Sequence, residues 1–392
     1  MDGFIRGMDI SSLAEVERCG GRFSLNGHEG DVPEILRECG TNLIRLRLWH
    51  DPYSESGEPY GAGTCDLETV MALAARCRKA DLPWMLDIHY SDFWVDPGKQ
   101  FPPKAWKGYG VAELERAVYE YTLQTLCKLV SANLTPAMVQ VGNETTNGLL
   151  WPAGKRTESA SKDAAVTGDT SGDDAGSDGT DGDAAMTRLI SSGIRAVREI
   201  LPGVPVMIHL DNGGSNALYR DWFGSYFAHG GEDFDIIGLS YYPFWHGTLD
   251  DLQKNMSDMA ATYGKPMIVV ETATAFTLED FVMEGSAVGV DRKPLLIDTE
   301  LASHVPYDMT PEGQCDFLRD LCRVIRSVPG VLGYGFVWWE PAWIPVPGSG
   351  WGTRAGLDYI GSDALGGNEW ANMSLFDYEG RALPALKKLG EF

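Results

Sequence analysis

Eight short segments with the composition of buried strands recur along the chain, and this repetition restricts the possible folds more than any other feature. Each segment is rich in apolar, β-branched or aromatic residues and ends in polar ones. The segments are residues 6–12, 43–49, 83–91, 138–145, 205–211, 234–242, 267–273 and 333–341. Stretches with helical spacing, such as 66–80 and 111–130, lie between them. This alternation predicts a parallel α/β fold.

Closure of these strands into a barrel is favoured over an open doubly wound sheet, which would show the same alternation. The first βα turn lacks the GxGxxG pattern of dinucleotide-binding sheets, and eight repeated units are the number that a closed barrel needs. A length of 392 residues suits one elaborated barrel. We therefore predict a single (β/α)8 TIM barrel with long βα loops, forming one catalytic domain over residues 1–392.

One segment interrupts the alternation. Residues 156–185 are rich in Gly, Ser, Thr and Asp and contain no aromatic residue and a single Val. Such a composition buries too little apolar surface to order itself, which predicts a disordered acidic loop inserted after strand four. The alternating Asp and Gly of GSDGTDGD leave a calcium site as the alternative. One irregular copy without flanking strands argues against it.

The net charge of −24 argues against nucleic acid and anionic membranes as partners, and it favours a neutral substrate. No apolar run reaches the roughly 18 residues needed to span a bilayer. The seven cysteines are dispersed without a CxxC pair, which is typical of reduced core thiols. Since the first residues show no signal peptide, we expect a cytoplasmic monomer, or an extracellular one if a leader was removed.

Two glutamates mark the predicted active site. In a parallel barrel, polar residues at the carboxyl ends of strands face the active site, whereas strand interiors pack. Glu144 follows the apolar run of the fourth segment, and Glu271 follows that of the seventh. Glycoside hydrolysis needs one carboxyl that donates a proton and one that stays ionised. In retaining enzymes these groups lie about 5–5.5 Å apart, so that the second attacks the anomeric carbon.

The neighbours of these glutamates suit the same chemistry. Asn143 is placed to hydrogen-bond a sugar 2-OH, and either Arg45 or Arg47 is placed to hold Glu271 ionised. Tryptophans in Pro/Gly-rich loops offer flat apolar faces to sugar rings, which predicts an open groove for a chain of sugars. The predicted substrate-binding residues are Arg45, Arg47, Asp87, His89, Asp92, Trp94, Asn143, His209, Asp211, Tyr241, Trp245, Trp339 and Trp351.

Three of these predicted substrate-binding residues, His89, His209 and Asp211, could instead bind a catalytic metal ion. Metal-dependent barrel hydrolases use such a His/His/carboxylate site on neighbouring strands. The chain has neither HxH nor HExxH spacing, and its seven histidines are scattered. The prediction is therefore an active site without a metal or a required cofactor.

At these residues the sequence resembles glycoside hydrolase family 53, the arabinogalactan endo-β-1,4-galactanases of the large retaining barrel clan. The matching stretches are GMDISS (7–12), LIRLRLWHDP (43–52), LDIHYSDFWVDPGKQ (86–100), VQVGNETTNGLLWP (139–152), HLDNGG (209–214), DIIGLSYYPFWHG (235–247), IVVETA (268–273) and GFVWWEPAWIP (335–345). The resemblance implies that Glu144 is the acid/base and Glu271 the nucleophile. It also implies that the substrate is the β-1,4-galactan side chain of pectin, cut internally with retention.

Two departures from the family pattern leave alternatives open. The acidic segment enlarges the connection after strand four. The long loop 276–311 after strand seven lies where bacterial members can bind calcium, but it shows no clear cluster of Asp, Asn and His, so structural calcium stays open.

Other functions also stay open, because a β-mannanase or endoglucanase would share the two glutamates. A non-catalytic carbohydrate-binding barrel is the alternative from another class, and the intact glutamate pair argues against it.

Overall fold

Eight parallel strands close into a barrel in the computed structural model, which describes residues 3–157, 181–282 and 292–392. The strands are β1 (Ile5–Asp9), β2 (Leu43–Leu48), β3 (Trp84–Ile88), β4 (Met138–Val141), β5 (Val206–Leu210), β6 (Ile236–Ser240), β7 (Met267–Thr272) and β8 (Gly333–Trp339). Each pairs with its neighbours in the sequence, and β8 pairs with β1 to close the barrel. The predicted (β/α)8 barrel is confirmed. Seven predicted segments contain a whole barrel strand, and β1 begins one residue before the first segment.

Several predicted segments run beyond the strands at their carboxyl ends, where the backbone turns over the barrel mouth. Tyr90, Glu144, Asn212 and Glu340 all follow a strand and have φ values of 52°, 46°, 50° and 51°. A left-handed conformation is costly for residues with a side chain, and it is concentrated at functional sites. These four turns follow the ends of their strands, and the turn at Glu144 brings this side chain to the wall of a cleft.

Helices cover the outside of the barrel. They are α1 (Leu13–Arg18), α2 (Val32–Glu38), α3 (Leu67–Lys79), α4 (Val111–Ser131), α5 (Gly182–Ile200), α6 (Asn216–Ala228), α7 (Leu249–Tyr263), α8 (Thr299–Ala302), α9 (Pro311–Arg326), α10 (Arg354–Tyr359) and α11 (Pro384–Lys387). Along α9, residues Cys315, Leu318, Cys322 and Ile325 are buried at intervals of three and four positions. This spacing gives the helix one apolar face, which packs against the barrel.

The barrel interior has an apolar floor beneath a charged layer. Because alternate residues of a strand point to the same side, residues two positions apart stack above one another inside the barrel. Leu43, Met85, Met138 and Met207 belong to one buried apolar cluster. Two positions further along the same strands lie Arg45, Asp87, Gln140 and His209, all buried and in contact with one another. This charged layer supports the active site from below.

The acidic segment has anchored ends. Its central part, residues 158–180, lies outside the described residues, so the predicted disorder stays a prediction. The predicted boundary at residue 185 is wrong, because α5 already begins at Gly182. Arg156 pairs with Asp183 at 2.8 Å and with Asp221 at 3.0 Å, and Ser225 donates a hydrogen bond to Asp183 at 2.5 Å. These contacts hold the two flanks of the segment together beside α5 and α6.

All seven cysteines are free. Cys39, Cys65, Cys77, Cys315 and Cys322 are buried, as predicted for core thiols. The prediction is wrong for Cys127, which is exposed, and for Cys19, which is half-buried. Among the helices of the described ranges, none is long and apolar enough to cross a membrane.

Candidate active site

A cleft of about 440 Å³ at the carboxyl ends of the barrel strands contains both predicted catalytic glutamates. Glu144 lies three residues beyond the end of β4, and Glu271 lies within β7. The remaining wall consists mainly of aromatic side chains, with charged groups at its rim. The cleft is lined by His89, Trp94, Val95, Asp96, Lys99, Asn143, Glu144, Tyr242, Glu271, Lys293, Trp339, Trp343, Trp351, Ile360, Glu369 and Trp370.

Glu271 has a cation and a hydroxyl as direct partners. The Arg45 guanidinium contacts its Oε1 at 2.8 Å, and the Tyr242 hydroxyl donates to its Oε2 at 3.2 Å. Burial raises the pKa of Glu271 to about 7, and Arg45 acts against this rise by favouring the carboxylate. Arg45 therefore favours the ionised form of Glu271, against the burial that disfavours it.

Arg45 is shared among three carboxylates in the charged layer. Besides Glu271, it contacts Asp9 at 2.9 Å and Asp87 at 2.8 Å. One positive charge facing three acidic groups leaves an excess of negative charge, and the charges of Asp87 and Asp9 add to the raised pKa of Glu271. The sequence left open whether Arg45 or Arg47 pairs with Glu271, and the structure places Arg45 there.

Glu144 has a different environment. Its Oε1 accepts a hydrogen bond from the Ser240 hydroxyl at 2.6 Å. Burial raises the pKa of Glu144 well above its ordinary value, and the negative charges of Glu271 and Asp211 raise it further. A neutral hydroxyl lowers this pKa less than an arginine in direct contact would. Glu144 is thus suited to hold a proton under conditions in which Glu271 is ionised.

Unequal environments of this kind separate an acid from a base. When two carboxyls share one cleft, the group with the more raised pKa donates the proton and the group paired with a cation stays charged. The arrangement can protonate a leaving oxygen at Glu144 while the Glu271 carboxylate attacks the carbon to which that oxygen is bound. This is the chemistry of retaining glycoside hydrolysis.

Aromatic rings form the walls of the cleft. The Trp94 and Trp343 rings are nearly parallel, with centroids 6.4 Å apart and an interplanar angle of 29°. Trp339 and Trp370 meet edge to face, with centroids 4.6 Å apart. The Trp94 indole donates to the Trp351 carbonyl at 2.7 Å, which holds the two loops together. Flat apolar faces beside a few polar groups are suited to the faces and hydroxyls of sugar rings.

Comparison with known proteins agrees with this geometry. The family model of Glycosyl hydrolase family 53 matches residues 5–389. The chain belongs to this family. It is 33% identical to the endo-beta-1,4-galactanase of Bacillus subtilis (strain 168), over 98% of this chain and 85% of that protein. It is also 33% identical to the arabinogalactan endo-beta-1,4-galactanase of Cellvibrio japonicus (strain Ueda107), over 98% of this chain and 89% of that protein. The solved family 53 catalytic domain of Ignisphaera aggregans superposes with a TM-score of 0.84 at 36% identity, covering 98% of this chain and 95% of that one.

In this family 53 protein, five of the predicted substrate-binding residues line the cleft. They are His89, Trp94, Asn143, Trp339 and Trp351. Two hydrogen bonds hold the His89 ring in its orientation. The Trp49 indole donates to His89 Nδ1 at 3.3 Å, so Nε2 carries the proton and donates to Asp87 at 2.9 Å. Burial lowers the pKa of His89, which keeps the ring neutral.

Six predicted substrate-binding residues lie behind the cleft wall and support it. They are Arg45, Arg47, Asp87, Asp92, His209 and Asp211. The Arg47 guanidinium lies 4.1 Å from the centre of the Trp94 ring and pairs with Glu340 at 3.3 Å. Asp92 accepts hydrogen bonds from the backbone N–H groups of Asp51 at 2.9 Å and Lys104 at 2.7 Å, which fixes two loops.

The prediction of Tyr241 as a cleft residue is wrong, and its neighbour Tyr242 takes that place. Tyr241 is buried, and its hydroxyl donates to the Gly247 carbonyl at 3.0 Å. Tyr242 lines the cleft and contacts Glu271. The alternation of the strand explains the difference, because Tyr242 lies two positions after the inward-facing Ser240, whereas Tyr241 faces the other way. Trp245 lies beside the cleft, 40% exposed, and packs against Tyr242 and Trp370.

Several residues of the site were not among the predicted substrate-binding residues. Gln140 and Ser240 lie on the inward-facing rows of β4 and β6, so alternation alone identifies them. Trp343 and Trp370 follow β8 in the chain, and their loops fold back over the cleft. Lys293 pairs with Glu369 at 3.2 Å and lies 4.2 Å from the centre of the Trp351 ring. These loop residues carry no local pattern that places them at the cleft.

The three residues of the alternative metal site are engaged elsewhere. His89 bonds Trp49 and Asp87, and His209 bonds Ser240. Asp211 accepts from Thr146 and from Asn212. In the ranges 3–157, 181–282 and 292–392, no group of three or more His, Cys, Asp or Glu is placed to hold a metal ion. The loop in which calcium was left open includes residues 283–291, which lie outside those ranges.

Proposed function

We propose that this family 53 hydrolase is an endo-acting, retaining β-1,4-galactanase in which Glu144 is the acid/base and Glu271 is the nucleophile. The observation that carries the assignment is the unequal setting of two carboxyls in one cleft. Glu271 contacts Arg45 at 2.8 Å, whereas Glu144 contacts a neutral hydroxyl. The substrate follows from the relatives named as β-1,4-galactanases, which match nearly the whole chain.

The first half-reaction forms a glycosyl-enzyme ester. The Glu271 carboxylate attacks the anomeric carbon, and the bond from that carbon to the glycosidic oxygen breaks. The proton of Glu144 passes to the departing oxygen, which leaves as the sugar 4-hydroxyl. The Tyr242 hydroxyl contacts Oε2 of Glu271, and Arg45 contacts Oε1. Both partners therefore hold the nucleophile in place before attack.

The second half-reaction restores both carboxyls. The Glu144 carboxylate removes a proton from a water molecule, and the resulting oxygen attacks the anomeric carbon. The ester bond to Glu271 breaks, and Glu271 leaves as a carboxylate that Arg45 again contacts. Two inversions at one carbon give net retention. Glu144, Glu271 and water supply every proton and bond in this sequence, so the proposal needs no cofactor.

A neutral sugar chain fits the walls and charge of the cleft. The flat faces of Trp94, Trp339 and Trp351 offer stacking surfaces along an open cleft, as an internally cut polysaccharide requires. A β-mannanase or endoglucanase is less favoured, because the galactanase relatives match 98% of the chain. A non-catalytic sugar-binding barrel is disfavoured because binding alone has no need of two coupled carboxyls. The monomeric state and the cellular location stay predictions.

Azide rescue tests the proposal and the two roles together. In Glu271→Ala, the nucleophile is missing, and azide entering the vacated space should restore turnover and give the α-galactosyl azide. In Glu144→Ala, azide should intercept the ester formed on Glu271 and give the β-galactosyl azide. The second variant should lose far more activity on galactan than on aryl galactosides with good leaving groups. Proton NMR of the azide products distinguishes the two anomers.

Glu15→Gln is the matched control. Glu15 is a buried glutamate outside the cleft whose pKa is also raised by burial. This variant should keep activity on galactan and show no response to azide. Products of the opposite anomeric form in the two alanine variants would mean that the roles are exchanged. If the wild-type protein released reducing ends from mannan or β-glucan but not from linear galactan, the assignment of galactan as the substrate would be wrong.

A further inference from the structure

We propose that Ser240 and His209 are positioning residues that determine which oxygen of Glu144 carries the catalytic proton. This inference rests on the proposed role of Glu144 as acid/base. It assigns a task to two buried polar side chains that the reaction steps above do not use. Both have no exposed surface, and both lie inside the barrel directly behind the cleft.

The Ser240 hydroxyl joins Glu144 to His209. Ser240 ends β6, and its Oγ donates to Glu144 Oε1 at 2.6 Å. The same Oγ lies 2.9 Å from His209 Nε2. A hydroxyl has one proton to donate, so a donor at His209 Nε2 leaves that proton to Glu144, whereas an acceptor there would compete for it. The direction of the whole chain therefore depends on the tautomer of His209.

The surroundings of His209 favour the tautomer that carries its proton on Nε2. Its Nδ1 faces two donors, the Gln140 side-chain amide at 3.1 Å and the backbone N–H of Glu144 at 3.4 Å. The Gln140 amide is itself oriented, because one N–H donates to Asp87 at 2.6 Å while its oxygen accepts from Arg45 at 3.2 Å. The other N–H is shared between His209 Nδ1 and the Gly142 carbonyl at 3.0 Å.

One contact acts in the other direction. The Asn143 Oδ1 lies 3.0 Å from His209 Nδ1 and would accept a proton from it. That oxygen already accepts from the Arg45 guanidinium at 3.0 Å, so it has a charged donor without the histidine. Two donors facing Nδ1 outweigh one acceptor, and Nε2 carries the proton.

With this direction fixed, the two oxygens of Glu144 are no longer equivalent. Oε1 accepts from Ser240 whether Glu144 is protonated or ionised, so the acid proton is held on Oε2. A second consequence concerns affinity for that proton. Burial and the charges of Glu271, Asp211 and Asp96 raise the pKa of Glu144, and the Ser240 hydrogen bond lowers it. Ser240 thus limits how far the pKa of the acid rises.

His209 is surrounded by Arg45, Asp87, His89 and His246. Burial lowers its pKa well below the ordinary value, which favours the neutral ring. Burial also lowers the pKa of His246 to about 4, so this neighbouring ring is neutral as well in neutral solution. The partner of Ser240 is therefore a neutral ring.

The test is Ser240→Ala, with Ser240→Thr as the rescue. Removing the hydroxyl should raise the pKa of Glu144 and move the alkaline limb of the kcat/KM profile upward by roughly one pH unit. Turnover of galactan should fall about tenfold, and turnover of aryl galactosides with good leaving groups should fall less. Ser240→Thr keeps a hydroxyl and should return the limb toward its wild-type position.

The matched control is Ser192→Ala. Ser192 lies on α5, is also buried, and donates its hydroxyl to the Glu115 carbonyl at 2.6 Å, outside the cleft. It should leave the alkaline limb in place. His209→Phe removes the donor that orients the Ser240 hydroxyl, so it should move the limb upward by less than Ser240→Ala does. In the Ser240→Ala background it should add no further displacement, because its effect passes through Ser240.

A measurement without substrate separates this inference from the proposed function. The pKa of Glu144 is read from ¹³C-carboxyl NMR of labelled protein, with the Glu144 signal assigned by its loss in Glu144→Gln. Failure of the wild-type protein to cleave galactan would overturn the proposed function, while the carboxyl titration would still test Ser240. An unchanged Glu144 pKa in Ser240→Ala, or an alkaline limb that Ser240→Thr leaves displaced as far as alanine does, would overturn the inference.

Discussion

Replacing Arg45 with Met tests whether this arginine holds the nucleophile ionised. The Arg45 Nη1 and Glu271 Oε1 atoms are 2.8 Å apart, and Arg45 opposes the burial that raises the pKa of Glu271 to about 7. At about 4 Å between charge centres and an effective dielectric constant of about 20, the attraction is about 4 kcal/mol. Since each pH unit corresponds to about 1.4 kcal/mol, the largest possible rise of the pKa is about three units.

The expected rise is smaller, because Asp9 and Asp87 share the same guanidinium. Without Arg45, the three carboxyls compete for a proton, and each proton bound relieves the other two. We therefore expect the acidic limb of the kcat/KM profile, which reports ionisation of the nucleophile, to move upward by about one to two pH units. The assay is hydrolysis of an aryl β-galactoside with a good leaving group, so that protonation by Glu144 does not limit the rate.

Arg47→Met is the matched control. Arg47 is equally buried on the same strand, but it pairs with Glu340 rather than Glu271. It should leave the acidic limb in place, whereas KM should rise because Arg47 supports the Trp94 ring at 4.1 Å. An acidic limb at the wild-type pH in Arg45→Met, or an equal displacement in both variants, would refute the role of Arg45.

The stability of Arg45→Met follows from the same charges. Leaving buried carboxylates without their cation costs about 3–5 kcal/mol of unfolding free energy. Their pKa values in the folded protein then lie above those in the unfolded chain. The cost is therefore absent at low pH and grows as the pH rises through the folded values. Thermal unfolding should show a higher Tm at pH 5 than at pH 8, and the kinetic profile is recorded below the lower of these temperatures.

Two further predictions concern a tyrosine pair and the acidic segment. Tyr242→Phe removes the hydroxyl that contacts Glu271 at 3.2 Å and should lower kcat/KM by about 10- to 100-fold, whereas Tyr241→Phe should change it less than threefold. Steady-state kinetics of the pair decides this, and equal losses would contradict it. Deleting residues 158–180 should leave kcat on galactan within about twofold, because the Arg156–Asp183 pair at 2.8 Å holds both flanks together. Loss of activity in a variant with an unchanged Tm would show that the segment acts in catalysis.

Residues at strand ends could be predicted because a barrel places them by rule. Glu144 and Glu271 each follow an apolar run, and the C-terminal face of a barrel collects such residues. The position of Tyr242 could also have been predicted from alternation. Every second residue of a barrel strand faces inward, as Leu43, Arg45 and Arg47 do on β2. Counting two positions from an inward residue would have selected Tyr242 instead of Tyr241.

Loop residues could not be predicted in the same way. Trp343 and Trp370 reach the cleft through connections that have no repeating period, and their positions depend on contacts between loops that are distant in the sequence. The Trp94 indole, for example, is held by the Trp351 carbonyl, which lies far along the chain. Composition showed that these loops contain tryptophans, but it did not show which of them meet.

The different roles of the two glutamates follow from where each stands relative to the charged layer. Glu271 lies within β7, so its carboxyl stays at the height of Arg45 and contacts it at 2.8 Å. Glu144 comes after β4 has ended, beyond Gly142 with φ 80°, and has a φ of 46° itself. A side chain at Gly142 would place its Cβ 2.7 Å from the Thr145 side chain, so glycine is required for this turn. The turn carries the Glu144 carboxyl to Ser240, a neutral partner. Glu271 thus tends to ionise because β7 carries it to Arg45 in the charged layer. Glu144 tends to keep its proton because the chain turns away from that layer after β4.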